Sequence, residues 1–147
     1  MKLSTKGQYG VKAMFDLAMR YSDEFVPLKQ VAESQVIPEN YLEQLVAQLR
    51  KAGLVESVRG PQGGYRLSRD PAEITIGEII RLLEGPITLV DCAPEEGESS
   101  CKRAEACVTR GIWAKMSASI AAVVDSITLA DLCQDANAKN QVGMFHI

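Results

Sequence analysis

Residues 53–68 decide the fold, and they read GLVESVRGPQGGYRLS. Two short runs, 54–58 and 65–68, flank a turn that contains three glycines and a proline. Runs of this kind around such a turn are typical of a β-hairpin. The turn is also basic, because Arg59 stands at its base and Arg66 follows on the returning strand. We therefore predict a glycine-rich, positively charged hairpin whose backbone can approach another molecule closely.

Three helical patterns precede this hairpin. The first covers residues 6–21, where apolar side chains recur at intervals of three and four, as on one face of a helix. These side chains are Val11, Met14, Phe15, Ala18 and Met19. A short second pattern starts at Leu28, and a third starts at Pro38, a residue that suits the first turn of a helix. The apolar stripe of the third helix is Leu42, Leu45, Val46 and Leu49. This order of helices and hairpin predicts a winged helix-turn-helix.

A loop and further helices follow the hairpin. Thr75 and Glu78 fit a capping box that opens a fourth helix. Residues 91–107 lack apolar periodicity and are predicted to form a surface loop. Residues 108–126 predict a long helix with more apolar surface than a small domain can cover, which favours pairing with the same helix of a second subunit. Thr128 and Asp131 can cap a last short helix before a loose tail.

The predicted fold class is mainly α with a small β-hairpin wing, a winged helix-turn-helix plus a long dimerisation helix. A chain of 147 residues has room for one such unit and an assembly element. The predicted units are a winged helix-turn-helix DNA-binding domain at 1–85, a cysteine-bearing loop at 86–107, a dimerisation helix with a short C-terminal helix at 108–135 and a tail at 136–147.

Charge is distributed unevenly along the chain. Residues 1–70 contain 10 Lys and Arg against 8 Asp and Glu, a net charge of +2, while residues 71–147 contain 6 against 11, a net charge of −5. The N-terminal part is therefore the half suited to nucleic acid. No stretch has the length and apolarity of a membrane span or a signal peptide, so we expect a cytoplasmic protein without membrane contact. Four cysteines in such a protein predict thiols rather than structural disulfides.

The outward face of the third helix carries the candidate base-reading residues Asn40, Glu43 and Gln44. Amide side chains pair with adenine, and a glutamate accepts from the amino group of cytosine while it repels phosphate. The candidate phosphate or minor-groove contacts are Arg59, Arg66, Lys6 and Lys51. On its own the same set fits an ordinary solvent-facing surface. The basic hairpin at this distance favours double-stranded DNA as the partner.

Cys92, Cys101 and Cys107 lie in or beside the acidic loop, with eight and five residues between them. Thiolates bind soft metals, and cluster iron is generally held by cysteine. The spacing lacks the paired two-residue knuckles of structural zinc sites. Reactive thiols are the alternative to metal ligands here. Cys133 is expected to be a small buried apolar residue, and His146 a solvated residue of the tail.

Four stretches together resemble the Rrf-type winged-helix bacterial transcriptional regulators. They are residues 3–9 (LSTKGQY), 41–45 (YLEQL), 53–65 (GLVESVRGPQGGY) and 75–80 (TIGEII). The resemblance runs from the N-terminus to about residue 133. It implies a homodimer that binds operator DNA and controls cluster-assembly genes, with an iron-sulfur cluster of the 2Fe-2S type on Cys92, Cys101 and Cys107. It also implies that Glu43 discriminates between operator classes.

The chain departs from the cluster-binding members of that family at the fourth ligand. Those regulators have a histidine three residues after the last cysteine, and Arg110 occupies that position here. Arginine stays protonated and does not ligate iron. The remaining ligand sources are a loop carboxylate, Cys133, the second subunit or a small molecule. Members with a 4Fe-4S cluster use an aspartate near the N-terminus, where this chain has Gln8, so both cluster types stay open.

Three functional hypotheses follow from these residues. In the first, a cluster orders the loop at 92–107 and thereby resets the spacing of the two recognition helices in the dimer. The second keeps DNA binding but makes the cysteines sensors of oxidants or nitric oxide. The third, a small thiol-redox or electron-transfer enzyme, lacks the usual Cys-x-x-Cys motif. We therefore predict a regulator and not an enzyme.

Overall fold

The computed structural model describes residues 2–145, and its secondary structure is mainly α-helical. In this part of the chain the helices are α1 (Thr5–Met19), α2 (Leu28–Gln35), α3 (Glu39–Lys51), α4 (Ile76–Glu84), α5 (Val108–Asp125) and α6 (Leu129–Phe145). The strands β1 (Val55–Val58) and β2 (Gly64–Leu67) form an antiparallel hairpin, and a 3-10 turn covers Pro71–Glu73. This architecture confirms the predicted fold class. Among the described helices, none has the length and apolarity needed to span a bilayer.

Helix α1 lies at the centre of the core, and its buried face differs from the predicted stripe. Met14 and Ala18 are buried as expected, but Met19 is 41% exposed. The small residues Gly7 and Gly10 are buried instead. A Cβ atom on Gly10 would overlap Cδ1 of Leu83, so the absence of a side chain lets α4 pack directly on α1. Apolar periodicity missed this face because glycine contributes space rather than apolar surface.

Helices α2 and α3 form the helix-turn-helix. Val36, the residue after the last turn of α2, adopts a left-handed conformation with φ 55°. The chain then turns through the buried Ile37. Pro38 stands just before α3, at φ −56° and ψ 129°, rather than inside its first turn as predicted. The predicted apolar stripe of α3 is buried throughout. The first helix of the pair thus sets the direction in which α3 leaves the core.

A buried carboxylate connects α1 to the end of α2. Asp16 is only 4% exposed, and its Oδ1 accepts hydrogen bonds from Oγ of Ser34 (2.8 Å) and Nε2 of Gln35 (3.1 Å). Its Oδ2 accepts from Nε of Arg20 at 2.9 Å. A carboxylate is tolerated at such depth because these donors replace the water it loses. Asp16 therefore fixes the last turn of α2, immediately before the turn into α3.

The wing is paired with a third segment of the chain. Its register runs from the Val55–Leu67 pair to the Val58–Gly64 pair. Val26 adds an isolated bridge, because its N–H and C=O exchange hydrogen bonds of 2.8 Å with those of Tyr65. A Cβ on Gly64 would overlap the carbonyl of Val26, so this approach requires glycine. The hairpin is thereby attached to the segment that leads into α2.

The C-terminal helices return to the N-terminal half of the chain. Thr75 caps α4 by accepting a hydrogen bond from the Glu78 N–H at 3.1 Å, which is one arm of the predicted capping box, while the Glu78 carboxylate accepts from Nη2 of Arg69 at 2.6 Å. The segment before α6 pairs with the segment before α4, through a bridge between Thr75 and Thr128. Leu129 then begins α6 fully buried in the common core. The long apolar helix predicted over 108–126 is α5, and the loop before it has no regular secondary structure.

The expected loose tail at 136–147 is wrong for the part that the structure describes. Helix α6 starts at the Thr128 and Asp131 cap, as predicted, but it continues to Phe145. Residues 136–145 contain good helix formers such as alanine, lysine and glutamine, without a strong apolar stripe. Periodicity therefore gave no signal for their helix. His146, expected to be solvated, lies outside the described residues.

We predict that Asp16→Ala lowers the free energy of unfolding by about 2–3 kcal/mol. The substitution leaves the donors on Ser34 and Gln35 without their acceptor in a partly buried position. Chemical denaturation measures the loss. Asp135→Ala, which removes an exposed carboxylate on α6, is the matched control and should change stability by less than about 0.5 kcal/mol. Equal effects of the two substitutions would contradict the role given to Asp16.

Candidate nucleic-acid interface and cysteine loop

The outward face of α3 presents the predicted base-reading residues together. Asn40, Glu43 and Gln44 are exposed and follow one another at helical spacing, opposite the buried stripe. Lys51 is exposed at the C-terminal end of the same helix. Amide and carboxylate groups near the N-terminus of an exposed helix match the base-edge chemistry of the major groove. The three predicted side chains therefore share one exposed face of α3, as base reading by a helix requires.

An aromatic pair beside this helix was not identified from the sequence. The rings of Tyr9 on α1 and Tyr41 on α3 pack edge to face, with centroids 5.6 Å apart at an angle of 85°. Nζ of Lys12 lies 5.8 Å from the centroid of Tyr9. The pair fixes the N-terminal half of α1 next to the first turn of α3. Lys6, which is half-buried in the first turn of α1, belongs to this edge as well.

The two arginines of the wing have different surroundings. Arg59 is exposed at the base of the glycine-rich turn. Arg66 lies over the ring of Phe25, with Cζ 4.2 Å from the centroid, and Nε donates to Oε2 of Glu56 at 3.1 Å. It also donates to the backbone carbonyl of Asp23. The side chain of Arg66 therefore holds the wing against the segment before α2, although its place on the returning strand predicts a DNA contact.

Arg50 makes a second connection that the sequence did not reveal. At the end of α3, its Nη1 donates to Oγ of Ser57 on β1 at 3.1 Å. The recognition helix and the wing are thus joined directly by side chains. Only the folded structure shows this pairing, because nothing in the local pattern of α3 separates Arg50 from its neighbour Lys51.

The cysteine loop connects α4 to α5 and has an anchored first half. Ile87 and Ala93 are buried, and Oγ1 of Thr88 donates to the backbone carbonyl of Ala93 at 2.7 Å. The N–H of Leu89 donates to Oγ of Ser117 on α5 at 3.1 Å. From residue 96 onward the loop is mostly exposed. The loop therefore has one fixed half and one solvent-facing half.

The three candidate ligands are divided between these halves. Cys92 is half-buried in the anchored part, while Cys101 and Cys107 are exposed. All three thiols are free, which suits soft-metal ligation. Among the described residues, no three or more Cys, His, Asp or Glu side chains are gathered closely enough to hold a metal ion. The donor chemistry thus fits an iron-sulfur cluster for three ligands, but the loop does not bring them together.

Two thiols have shifted pKa values, in opposite directions. Cys107 immediately precedes α5, and its Sγ lies 3.3 Å from Oγ1 of Thr109. That hydrogen bond, with help from the N–H of Arg110, lowers the pKa of the Cys107 thiol. Burial raises the pKa of the Cys133 thiol, which packs against the core. Cys107 thus has the character of a reactive thiol or ligand, and Cys133 that of a half-buried apolar residue beside the core, where full burial was expected.

Arg110 occupies the position of the fourth ligand that the family resemblance implies. Its Nε donates to the backbone carbonyl of Cys92 at 3.0 Å. The guanidinium therefore connects the first turn of α5 to the backbone of the anchored half of the loop. Any fourth ligand must come from another group.

Fold and exposed groups together define a winged helix-turn-helix regulator with a cysteine loop. The family model of Rrf2, described as iron-dependent transcriptional regulator, matches residues 3–135. This chain belongs to the Rrf2 family, which confirms both the resemblance found in its sequence and the prediction of a regulator rather than an enzyme.

The relatives of this chain include regulators of two names, CymR and IscR. The transcriptional regulator CymR of Bacillus subtilis (strain 168) is 41% identical over 147 residues, which covers all of both chains. The solved structure of T. potens IscR is 51% identical, with a TM-score of 0.75 over 92% of this chain and 88% of that chain. The structure of B. subtilis CymR, the global cysteine regulator, is 42% identical, with a TM-score of 0.75 over 91% of this chain and 97% of that chain. The fold alone therefore does not separate the two kinds of regulator.

We predict that alanine substitutions of the two wing arginines affect different properties, DNA binding in one case and stability in the other. Arg59→Ala should weaken operator binding and reduce the salt dependence by about one phosphate contact, with stability unchanged. Arg66→Ala should instead lower stability, because it removes the contacts with Glu56, Asp23 and Phe25. Binding titrations at several salt concentrations and thermal unfolding measure the two effects. A stability loss for Arg59→Ala, or none for Arg66→Ala, would contradict these assignments.

Proposed function

We propose that this protein is a cytoplasmic homodimer that binds operator DNA and adjusts transcription of cluster-assembly genes. In this proposal Asn40, Glu43 and Gln44 on α3 meet base edges in the major groove. The basic contacts with the DNA backbone come from Arg59, Lys6 and Lys51, with Arg66 acting through the position of the wing. The observation that carries the DNA-binding half is the exposed polar face of α3 beside a basic wing, within the Rrf2 family.

The dimer is supported by the composition of the α5 surface. Of its 18 residues only Ser117 is buried, although the helix is rich in apolar side chains. Ile112, Met116 and Ile120 are exposed at intervals of four and therefore share one face. Exposed apolar patches of this kind mark interaction sites, and a second copy of α5 is the self-complementary partner that two-fold symmetry supplies. Pairing of α5 fixes the distance between the two recognition helices.

The sensing half of the proposal assigns an iron-sulfur cluster to Cys92, Cys101 and Cys107. Its support is three free thiols in or beside one loop, one of them anchored to the first turn of α5, together with 51% identity to T. potens IscR. A bound cluster supplies a group that is gained and lost with iron, sulfide and oxidants. We propose a 2Fe-2S cluster, with 4Fe-4S as the alternative. Arg110 leaves the fourth ligand to a loop carboxylate, Cys133, the second subunit or a small molecule.

The loop then regulates DNA binding through its attachment to α5. Gathering Cys101 and Cys107 onto Cys92 orders the exposed half of the loop. Arg110 connects Cys92 to the first turn of α5, so a change at Cys92 acts on the dimerisation helix. Because half-site spacing must match the distance between recognition helices, a small rotation of α5 alters operator preference.

A second candidate function is a thiol sensor without a cluster. It is favoured by Cys107, which is exposed and has a lowered pKa at the N-terminal end of α5. The full-length match to CymR supports it as well, since that relative is described as a global cysteine regulator. In this case an oxidised or modified Cys107 replaces the cluster as the signal.

We predict that anaerobic reconstitution gives a coloured protein with about two iron and about two sulfide per protomer, as a 2Fe-2S cluster requires. Cys92→Ser, Cys101→Ser and Cys107→Ser should each lose most of this iron and sulfide. Cys133→Ser tests the remaining cysteine: retained iron and sulfide exclude Cys133 as the fourth ligand, and their loss assigns it that role. Elemental analysis and visible spectroscopy provide the measurement. A colourless wild type that forms a reversible disulfide after mild oxidation would select the thiol sensor instead.

We predict that Glu43→Ala relaxes operator selectivity. The carboxylate repels phosphate and accepts from cytosine, so its loss should reduce discrimination between operator classes by about 1–3 kcal/mol while total DNA affinity is kept or raised. Competition binding with operators of different sequence measures the change. Glu73→Ala, an exposed carboxylate in the 3-10 turn, should leave selectivity as it is. Loss of binding to every operator would argue against a selective role for Glu43.

A further inference from the structure

We propose that Arg81 on α4 couples the cysteine loop to the dimerisation helix α5 and to the helix-turn-helix formed by α2 and α3. Its Nε donates to Oε1 of Glu95 in the loop at 2.7 Å. Its Nη1 and Nη2 donate to the two carboxylate oxygens of Asp125, the last residue of α5, at 2.6 and 2.9 Å. We call these three residues the Arg81 junction. The proposal rests on the proposed function, because it explains how a change in the loop reaches DNA.

On the loop side, the junction holds the segment that contains Cys92. Glu95 follows Cys92 by three residues, a distance of at most about 11 Å along the chain. Its second oxygen, Oε2, accepts a hydrogen bond from the N–H of Ile87 at 2.6 Å. Glu95 therefore closes residues 87–95 onto α4. A rearrangement that moves Cys92 toward the exposed thiols therefore disturbs the contacts of Glu95 with Arg81 and Ile87.

On the dimer side, the junction holds the C-terminal end of α5 against α4. A Cβ on Gly77 would overlap Oδ1 of Asp125 and would lie 2.8 Å from Nη1 of Arg81. The ion pair of Arg81 and Asp125 therefore lies directly against Gly77, in the space that a side chain at this position would occupy. Asp125 cannot shift along α4 without moving the guanidinium that also holds Glu95.

The two arms of the junction depend on each other. Glu95 and Asp125 are like charges, and Arg81 is the cation that both of them contact. Hydrogen bonds from Arg81 lower the pKa of both carboxyl groups, so both are ionised at neutral pH. Release of Glu95 leaves the guanidinium to Asp125 alone and exposes donors that the loop had satisfied. The state of the loop therefore changes the contact between α4 and α5.

On the DNA side, α4 is packed on α1 through Leu83 and Gly10. Helix α1 carries Asp16, which holds the end of α2 before the turn into α3. The junction thus sits where the loop, the dimer helix and the core of the DNA-binding domain meet.

The experiment compares Glu95→Gln and Asp125→Asn with the control Glu78→Gln in the full-length protein. Glu78 is also on α4 and forms an ion pair, with Nη2 of Arg69 at 2.6 Å, but that pair does not involve the loop. All three substitutions keep size and remove one charge. The rate of Cys133 alkylation reports on global folding, because the thiol is half-buried in the folded protein. This rate should be the same in each variant as in the wild type.

Hydrogen exchange of the metal-free protein is the first readout. In Glu95→Gln, exchange should rise at least about fivefold in residues 87–95 and also in α4 and the last turn of α5. In Asp125→Asn, it should rise in α5 and also in residues 87–95. Glu78→Gln should leave all of these segments unchanged. Faster exchange confined to the segment that carries the substitution would overturn the proposal.

Operator binding is the second readout, taken as the ratio of Kd values for cluster-loaded and cluster-free protein. In Glu95→Gln and Asp125→Asn, the factor by which cluster loading changes Kd should be at least about fivefold smaller than in the wild type, at equal iron content. Glu78→Gln should keep the wild-type ratio. An unchanged ratio in both junction variants would overturn the coupling. If the wild type binds no iron, the proposed cluster is contradicted but the Arg81 coupling is not. The ratio of Kd values is then taken between alkylated and unalkylated protein. The hydrogen-exchange comparison tests the coupling in either case.

Discussion

Asp16 accepts hydrogen bonds from Arg20, Ser34 and Gln35 although only 4% of the residue is exposed. A carboxyl group is tolerated in this position because the donors replace the water that it has lost. Because two of those donors are the last residues of α2, the carboxylate fixes where that helix ends. The chain then turns through Val36, and α3 leaves the core in one direction. The orientation of α3 thus depends on a polar group buried on α1.

A second constraint acts between α1 and α4. Gly10 provides the space that Leu83 fills, so the two helices behave as one packed unit. Helix α4 is also the part of the domain that Arg81 connects to the loop and to α5. Helices α1 and α4 therefore form one support, to which Arg81 also attaches the loop and α5. Under the function proposed above, a signal on the exposed loop reaches the helix-turn-helix through this support without a large change in the core.

The cysteine loop is carried on a scaffold that two named kinds of regulator share. T. potens IscR and B. subtilis CymR have the same TM-score of 0.75 with this chain, so the scaffold is common to both. The exposed half of the loop lies outside the core, where residues can vary in chemistry without loss of stability. Here that chemistry is three thiols with Arg110 beside Cys92, in place of a histidine.

The sequence by itself determined the local elements and the residues on their outward faces. The glycine-rich hairpin, the capping boxes at Thr75 and Thr128 and the stripe of α3 all follow from short-range rules of backbone conformation and side-chain period. Only the tertiary structure decided the buried face of α1, the full length of α6 and the place of Arg66 at the base of the wing. Burial depends on which surfaces meet, and glycine leaves no apolar trace of a close contact. Arg81 and Asp125 are 44 residues apart, and charges so distant in sequence acquire a partner only when folding brings them together.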